Sequence, residues 1–263
     1  MKTKILCLCA VVILLCTLTG CVNKKETSAD KIISRNSTTK TQKKETEQEN
    51  PFDNVDFEAA AQHQMSMPEE GETIAIMHVK NFVDIKLKFF DDVAPKAVEN
   101  FLTHAKNGYY NGVTFHRVMN EFMIQGGDPT GTGFGGESIW GDNFQEELAY
   151  EYVPYRGSLC MASSSLGLSS QFFITQANYS ETMEAALINS GYPTKLIDQY
   201  KNYGGYLSLY LRYTVFGQVF EGIEVVDKIA SVETKLSDSG EEKSIPVENV
   251  IIESIEVTTY KAN

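Results

Sequence analysis

A chain of 263 residues accommodates one domain of ordinary size with appendages, since single domains commonly run to about 100–200 residues. Its 23 basic residues are outnumbered by 35 acidic ones, which gives a formal charge of -12 and a pI near 4.9. Nucleic acid is thereby excluded as a partner, because phosphate binding depends on Lys and Arg neutralising the backbone.

The chain opens with Lys2 and Lys4, an apolar run over residues 5–18, then Thr19-Gly20-Cys21. A positively charged start, a short apolar stretch and small residues at its end predict a signal peptide over residues 1–20, too short for a comfortable membrane span. The segment Leu18-Thr19-Gly20-Cys21 resembles a bacterial lipobox, which implies cleavage before Cys21 and lipidation of its thiol by diacylglyceryl and palmitate-type chains. An uncleaved anchor and a plain secretory signal are the alternatives. The lipidated form predicts a protein anchored to the cell membrane on its extracytoplasmic face. Cys7, Cys9 and Cys16 leave with the signal, so after lipidation Cys160 alone keeps a free thiol and no internal disulfide is expected. The apolar neighbours of Cys160 suit a small buried hydrophobe.

Residues 22–50 are Lys, Glu, Thr, Ser, Asn and Gln with almost nothing to bury, which predicts a disordered tether. Residues 52–67 are ambiguous, with Phe52, Val55, Phe57 and Met65 able to dock as a short helix, and Pro68-Glu69-Glu70-Gly71 marks a boundary. The expected division is therefore residues 1–20 leader, 21–71 lipidated N-terminus and tether, and 72–260 globular domain.

Alternating apolar residues predict paired strands over 72–79 and 82–90. Pro95 opens a helix whose Ala97, Val98, Phe101, Leu102 and Ala105 recur at helical spacing, and Asn107-Gly108 closes it. Further strands are expected at 113–118, 122–125, 159–162, 171–175, 214–220 and 250–258, with a second short helix over 223–230. Many short strands without regular strand-helix alternation predict a mainly β fold, a closed antiparallel barrel. Residues 180–203 break the pattern: Met183, Leu187, Ile188, Leu196, Ile197 and Tyr200 predict a helical insertion, within bounds of about 179–207.

No Cys/His cluster has metal spacing and no GxSxG elbow occurs. The glycine-rich stretch 126–136 lacks the Lys-Ser/Thr ending of a phosphate loop. In its context, Phe115-His116-Arg117-Val118 followed by Phe122-Met123-Ile124-Gln125-Gly126-Gly127-Asp128-Pro129 resembles the cyclophilin family. Further matches follow in order at Gly157-Ser158-Leu159-Cys160-Met161-Ala162, Ser170-Gln171-Phe172-Phe173-Ile174 and Thr214-Val215-Phe216-Gly217-Gln218-Val219. The resemblance spans about residues 73–257. It implies an eight-stranded antiparallel barrel capped by two helices, and a peptidyl-prolyl cis/trans isomerase without cofactor or metal, monomeric, acting on X-Pro polypeptides.

By that resemblance Arg117 is the catalytic arginine, donating toward the prolyl nitrogen as the peptide bond twists. Phe122, Met123, Phe173 and Leu209 form the proline slot, Gln125 holds the substrate carbonyl or orients Arg117, and Ala162, Ser163 and Gln171 line the neighbouring groove. His116 is read as a barrel residue. The chain departs from the family where a Trp and a His are common, showing Ser208 and Tyr213, and Ser163 stands where an Asn is expected. Loss of the indole should shrink the pocket rim and weaken cyclosporin-like ligands, while Tyr213 keeps an aromatic wall. Together with the leader, these residues predict a foldase for exported proteins. A proline-peptide or protein binding module of the same shape, with little catalysis, is the alternative.

Overall fold

The computed structural model describes residues 51–237 and 239–262. The expected leader, the expected lipidation site Cys21 and the expected tether over residues 22–50 lie outside the described residues.

The order of elements is α1 (Phe57–Met65), β1 (Thr73–Val79), β2 (Ile85–Phe89), α2 (Pro95–Lys106), β3 (Arg117–Met119), β4 (Met123–Gly126), β5 (Ser158–Ser164), β6 (Gly167–Thr175), α3 (Glu181–Asn189), α4 (Thr194–Tyr203), β7 (Val215–Glu221), α5 (Ile223–Ala230), β8 (Thr234–Leu236), β9 (Lys243–Pro246) and β10 (Ile252–Thr259). Eight strands form one antiparallel sheet in the order β10-β1-β2-β7-β5-β6-β4-β3, and β8 pairs with β9 separately.

The expected closure is not complete. β3 and β10, the ends of the sheet, form no ladder; the seam holds one bridge, Thr114 to Ile251, flanked by Phe115 N to Val250 O at 2.9 Å and Ile252 N to Val113 O at 2.8 Å. The cause is the brevity of β3, whose three residues are all spent on β4, so that only the irregular residues before it reach β10. The eight strands make a curled sheet with a loosely bridged seam.

Period-two alternation divides the sheet. Val118, Ile124, Leu159, Met161, Phe172, Ile174 and Phe216 face one large core, where Phe101 of α2 meets the rings of Phe89, Tyr110, Phe172 and Phe216 at centroid distances of 5.2–5.7 Å. Each such fully buried side chain contributes roughly 1.5–3 kcal/mol by leaving water. α2 lies over β10, β7 and β6, whereas α5 lies over β4, β2 and β3, and these are the two expected capping helices. Pro95 occupies the first turn of α2, and the Glu147 carboxylate accepts from Lys96 N at 3.2 Å and Ala97 N at 2.9 Å, as the positive end of a helix favours.

Three more α-helices bring the described residues to five. The insertion is the pair α3 and α4, followed by a 3-10 turn at Leu207–Leu209. Leu187, Leu196, Ile197 and Tyr200 of this pair build a second core with Phe57 and Ala61 of α1, together with Val153, Tyr155, Leu207 and Tyr210. α1, within residues 52–67 whose docking as a short helix the sequence left open, is docked in this second core. Its Gln64 is fully buried: Nε2, with two N–H groups, lies within hydrogen-bond distance of Val153 O at 2.7 Å, Ser158 Oγ at 3.0 Å and Gln218 Oε1 at 3.2 Å, while its Oε1 accepts from Val153 N at 3.1 Å. The β8–β9 hairpin was not foreseen, because neither strand carries an apolar alternation and Lys235, Leu236 and Lys243 are exposed.

Candidate active site

The opposite set of alternating positions makes the site. Met123 on β4, Phe173 on β6, Cys160 on β5 and Val215 on β7 turn away from the main core and, with Phe90, Tyr152 and Leu209, form a third apolar cluster. Ala162, Phe122 and Tyr213 pack against its outer edge. Above it opens a cavity of about 210 Å³ lined by Arg117, Phe122, Met123, Gln125, Ala162, Ser163, Phe173, Leu209 and Tyr213. Gln171 lies beside it, in a smaller hollow of about 100 Å³ that shares Gln125, Ala162 and Ser163. The ten residues expected at the site are thus brought to one face of the sheet.

Met123 and Phe173 are buried to within 5 % and form the floor. Tyr213 stands edge-on to Phe173, with centroids 5.4 Å apart and planes at 86°. A saturated five-membered ring fits such an apolar, aromatic-walled slot. Cys160 is fully buried beneath the floor, and burial pushes its thiol well above the ordinary range, which makes it an inert packing group.

Arg117, Gln125 and Gln171 form one chain of hydrogen-bonded polar groups at the site. Arg117 is one third exposed, with its guanidinium 5.7 Å from the Phe122 ring centroid. Its Nη1 donates to Gln125 Oε1 at 3.4 Å and lies 4.0 Å from Met123 Sδ. Gln125 Nε2 donates to Gln171 Oε1 at 3.0 Å, and Gln171 Nε2 donates to the carbonyls of Gly133 and Gly135 at 3.0 and 2.7 Å. Two carbonyl acceptors fix which end of the Gln171 amide is nitrogen, which in turn points Gln125 Oε1 toward Arg117.

The glycine-rich loop serves this relay. The Asp128 carboxylate accepts from Thr130 N, Thr132 N, Gly133 N and Gly135 N at 2.7–3.1 Å and from the Thr130 hydroxyl. Burial alone would raise the Asp128 carboxyl, but these bonds, led by Thr130, hold it below its ordinary value. The loop amides are occupied by the chain's own carboxylate and are not offered to a phosphate. Gly127 has φ +87, and a Cβ there would lie 2.5 Å from Ser170 O; one at Gly135 would press on Asp128 Oδ1.

His116 stands outside the pocket lining. Burial chiefly lowers its pKa, with Arg117 adding to that effect and Asp128 opposing it.

Two residues of the site went unpredicted. Tyr206 covers Phe122 at a centroid distance of 4.5 Å, supplying an aromatic rim, while Ser208 faces a different hollow of about 410 Å³ against α3. The aromatic that the resemblance leads one to expect at residue 208 stands instead two residues earlier, at Tyr206. Glu242, just before β9, accepts from Arg117 Nε at 2.7 Å and from Nη2 at 3.0 Å. No motif marks it, and 125 residues separate the pair.

Residues 74–257 match the family described as cyclophilin type peptidyl-prolyl cis-trans isomerase/CLD. A protein of Staphylococcus epidermidis named "Putative peptidyl-prolyl cis-trans isomerase" is 45 % identical over 191 residues, covering 72 % of this chain and 93 % of the relative. Its counterpart in Staphylococcus aureus is 44 % identical over 191 residues, with the same coverage. Among solved structures, the cyclophilin type peptidyl-prolyl cis-trans isomerase of Cryptosporidium parvum superposes with a TM-score of 0.56 at 30 % identity, covering 72 % of this chain and 99 % of that one. The same protein crystallised in the presence of the dipeptide Ala-Pro matches with a TM-score of 0.56 at 31 % identity, covering 71 % and 99 %. With the motif residues gathered on one face of the curled sheet and more than two thirds of the chain matched, this chain belongs to the cyclophilin-type peptidyl-prolyl cis-trans isomerases.

Proposed function

We propose that the protein accelerates cis/trans isomerisation of X-Pro bonds in exported polypeptides, at the outer side of the membrane to which lipid on Cys21 holds it. The observation that carries the reading is a permanently charged guanidinium, Arg117, set on one side of an apolar slot floored by Met123 and Phe173. Rotation about a peptide bond faces a barrier of about 18–20 kcal/mol because the nitrogen lone pair is shared with the carbonyl. The proline ring would enter the slot, and Arg117 would donate toward the prolyl nitrogen as its lone pair localises, favouring the twisted form. No bond is broken and no proton needs to move. Lowering the barrier by about 5–7 kcal/mol corresponds to four to five powers of ten in rate, a scale within reach of fixed donors in a half-dry pocket.

Gln125 would receive the substrate backbone while Gln171 keeps it oriented, and Ala162 and Ser163 would flank the preceding residues of the peptide. The structure of the Cryptosporidium protein determined with Ala-Pro supports a proline-containing substrate. Slow X-Pro isomerisation gives such a catalyst work among newly translocated chains.

NMR exchange spectroscopy on an Ala-Pro peptide tests the activity: exchange should rise by orders of magnitude at catalytic protein concentration, and exchange equal to that in buffer would refute it. Labelling cells with palmitate tests the anchor, and the label should disappear in Cys21→Ser. The binding-module reading is favoured by one feature, the carboxylate already paired with Arg117. It predicts peptide affinity without rate gain.

A further inference from the structure

We propose that Glu242 is a positioning residue for Arg117, and that the β8–β9 hairpin carrying it belongs to the catalytic apparatus. The inference rests on the reading of Arg117 as the acting group and adds to it a residue from outside the motif.

The geometry is a two-pronged clamp. Arg117 Nε and Nη2 donate to the two carboxylate oxygens of Glu242 at 2.7 and 3.0 Å, the planar pairing that a guanidinium and a carboxylate favour. A guanidinium has five N–H donors. Two are taken by Glu242 and one by Gln125. The second hydrogen on Nη1 meets only the weak acceptor Met123 Sδ at 4.0 Å, in the floor of the slot, and one on Nη2 has no protein partner among the described residues. The clamp thus selects which edge meets the substrate and fixes the plane of the group.

Glu242 is itself held. Ser244 Oγ donates to its Oε1 at 2.7 Å, and Ser244 is buried to 1 %. Ser237 N donates to Glu242 O at 2.7 Å, closing the hairpin turn, and β9 lies beside β3, the strand that bears Arg117. The carboxyl is held down to about 2, first by the hydrogen bonds from Arg117, so it stays ionised over the working pH range. A long side chain unrestrained at its tip would sample many rotamers. Misplacing a reacting group by about 1 Å can cost up to about a hundredfold in rate. The opposite role, a carboxylate that damps the guanidinium's charge as a brake, predicts a faster enzyme once it is removed.

The test compares kcat and KM on an Ala-Pro peptide for the full chain and for Glu242→Ala, Glu242→Gln and Ser244→Ala, with thermal midpoints alongside. Positioning predicts that kcat of Glu242→Ala falls about tenfold while KM stays within about twofold. Glu242→Gln, which keeps one acceptor, should recover part of the loss, and Ser244→Ala should lose about twofold to threefold. In an Arg117→Ala background, Glu242→Ala should change the residual rate by less than about 1.5-fold, because there is no longer a group to position. Unchanged or raised kcat in Glu242→Ala overturns the proposal, as does an equal loss in both backgrounds. If Glu242→Ala melts at the assay temperature, Glu242→Gln and Ser244→Ala decide: wild-type kcat in both overturns it. An inactive wild-type chain would instead refute the isomerase reading, so the two failures are distinct.

Discussion

At the residue scale the site depends on what lies against the motif as much as on the motif. Phe122, in the motif, gains its outer cover from Tyr206, and Arg117 gains its clamp from Glu242. Tyr206→Ala should open the rim and raise KM for an X-Pro peptide about fivefold with a smaller change in kcat, since an aromatic pair contributes about 0.5–1.5 kcal/mol beyond its area. Steady-state kinetics check this, and an unchanged KM would show that Tyr206 does not touch substrate. The pH dependence follows from the two shifted groups nearest Arg117. His116 is lowered from 6.5, so it is neutral in the folded protein above that pH; stability is lost as the pH falls through 6.5, where the unfolded chain takes up the proton first. Glu242 is lowered from 4.5 to about 2, so its clamp is whole above 4.5 and is lost as the pH falls toward 2. The isomerisation rate should therefore be flat from about pH 9 to about pH 6.5. A bell with a limb near 7 in the exchange rate would mean that a titrating group takes part.

At the scale of elements, what could be read in the sequence was what is local. α2 announces itself by Pro95, an apolar stripe and Gly108, β1 and β2 by apolar alternation, and β5, β6, β7 and β10 by short runs rich in apolar residues, each placed to within a few residues. The site was legible for the same reason: residues 115–128 and 157–173 deliver eight of its side chains in recognisable strings. β8 and β9 were not, because three- and four-residue strands held mainly by backbone bonds leave little periodic trace. Nor does sequence reveal that Glu242 meets Arg117, since the hairpin's docking beside β3 is what joins them. α1 was ambiguous because its stripe is short and its anchor is polar: Gln64 reads as a surface residue until its three partners are known. Gln64→Leu should leave Val153 N without a partner in a dry interior, while Val153 O keeps Tyr155 N and Ser158 Oγ, and Ser158 and Gln218 keep each other. A cost of about 1–3 kcal/mol is expected, the usual range for an orphaned buried group. Urea denaturation followed by circular dichroism should show the midpoint falling accordingly, and a wild-type midpoint would mean that α1 contributes little.

At the scale of the whole molecule, the chain couples a curled sheet with its own large core to a second, smaller core built from α1, α3 and α4. The 3-10 turn at Leu207–Leu209 links this second core to the pocket, with Leu207 in the second core and Leu209 in the pocket wall. The pocket wall is thus braced from behind by the insertion and α1, while Tyr206 and Tyr213 supply its aromatic edges. The fold class was legible as mainly β with a helical insertion; incomplete closure at the seam was not, because it turns on where pairing stops between residues 112–115 and 250–252.

The central claim, that Arg117 acts on a proline held in the slot, is tested most directly by measuring isomerisation and peptide binding in the same samples of wild type and Arg117→Ala. Loss of one charge-stabilising donor should lower kcat about a hundredfold to a thousandfold, while the Kd for an Ala-Pro peptide, read from chemical-shift titration, stays within about threefold of wild type. Equal rates in the two proteins, or a variant that loses binding and rate together, would contradict it.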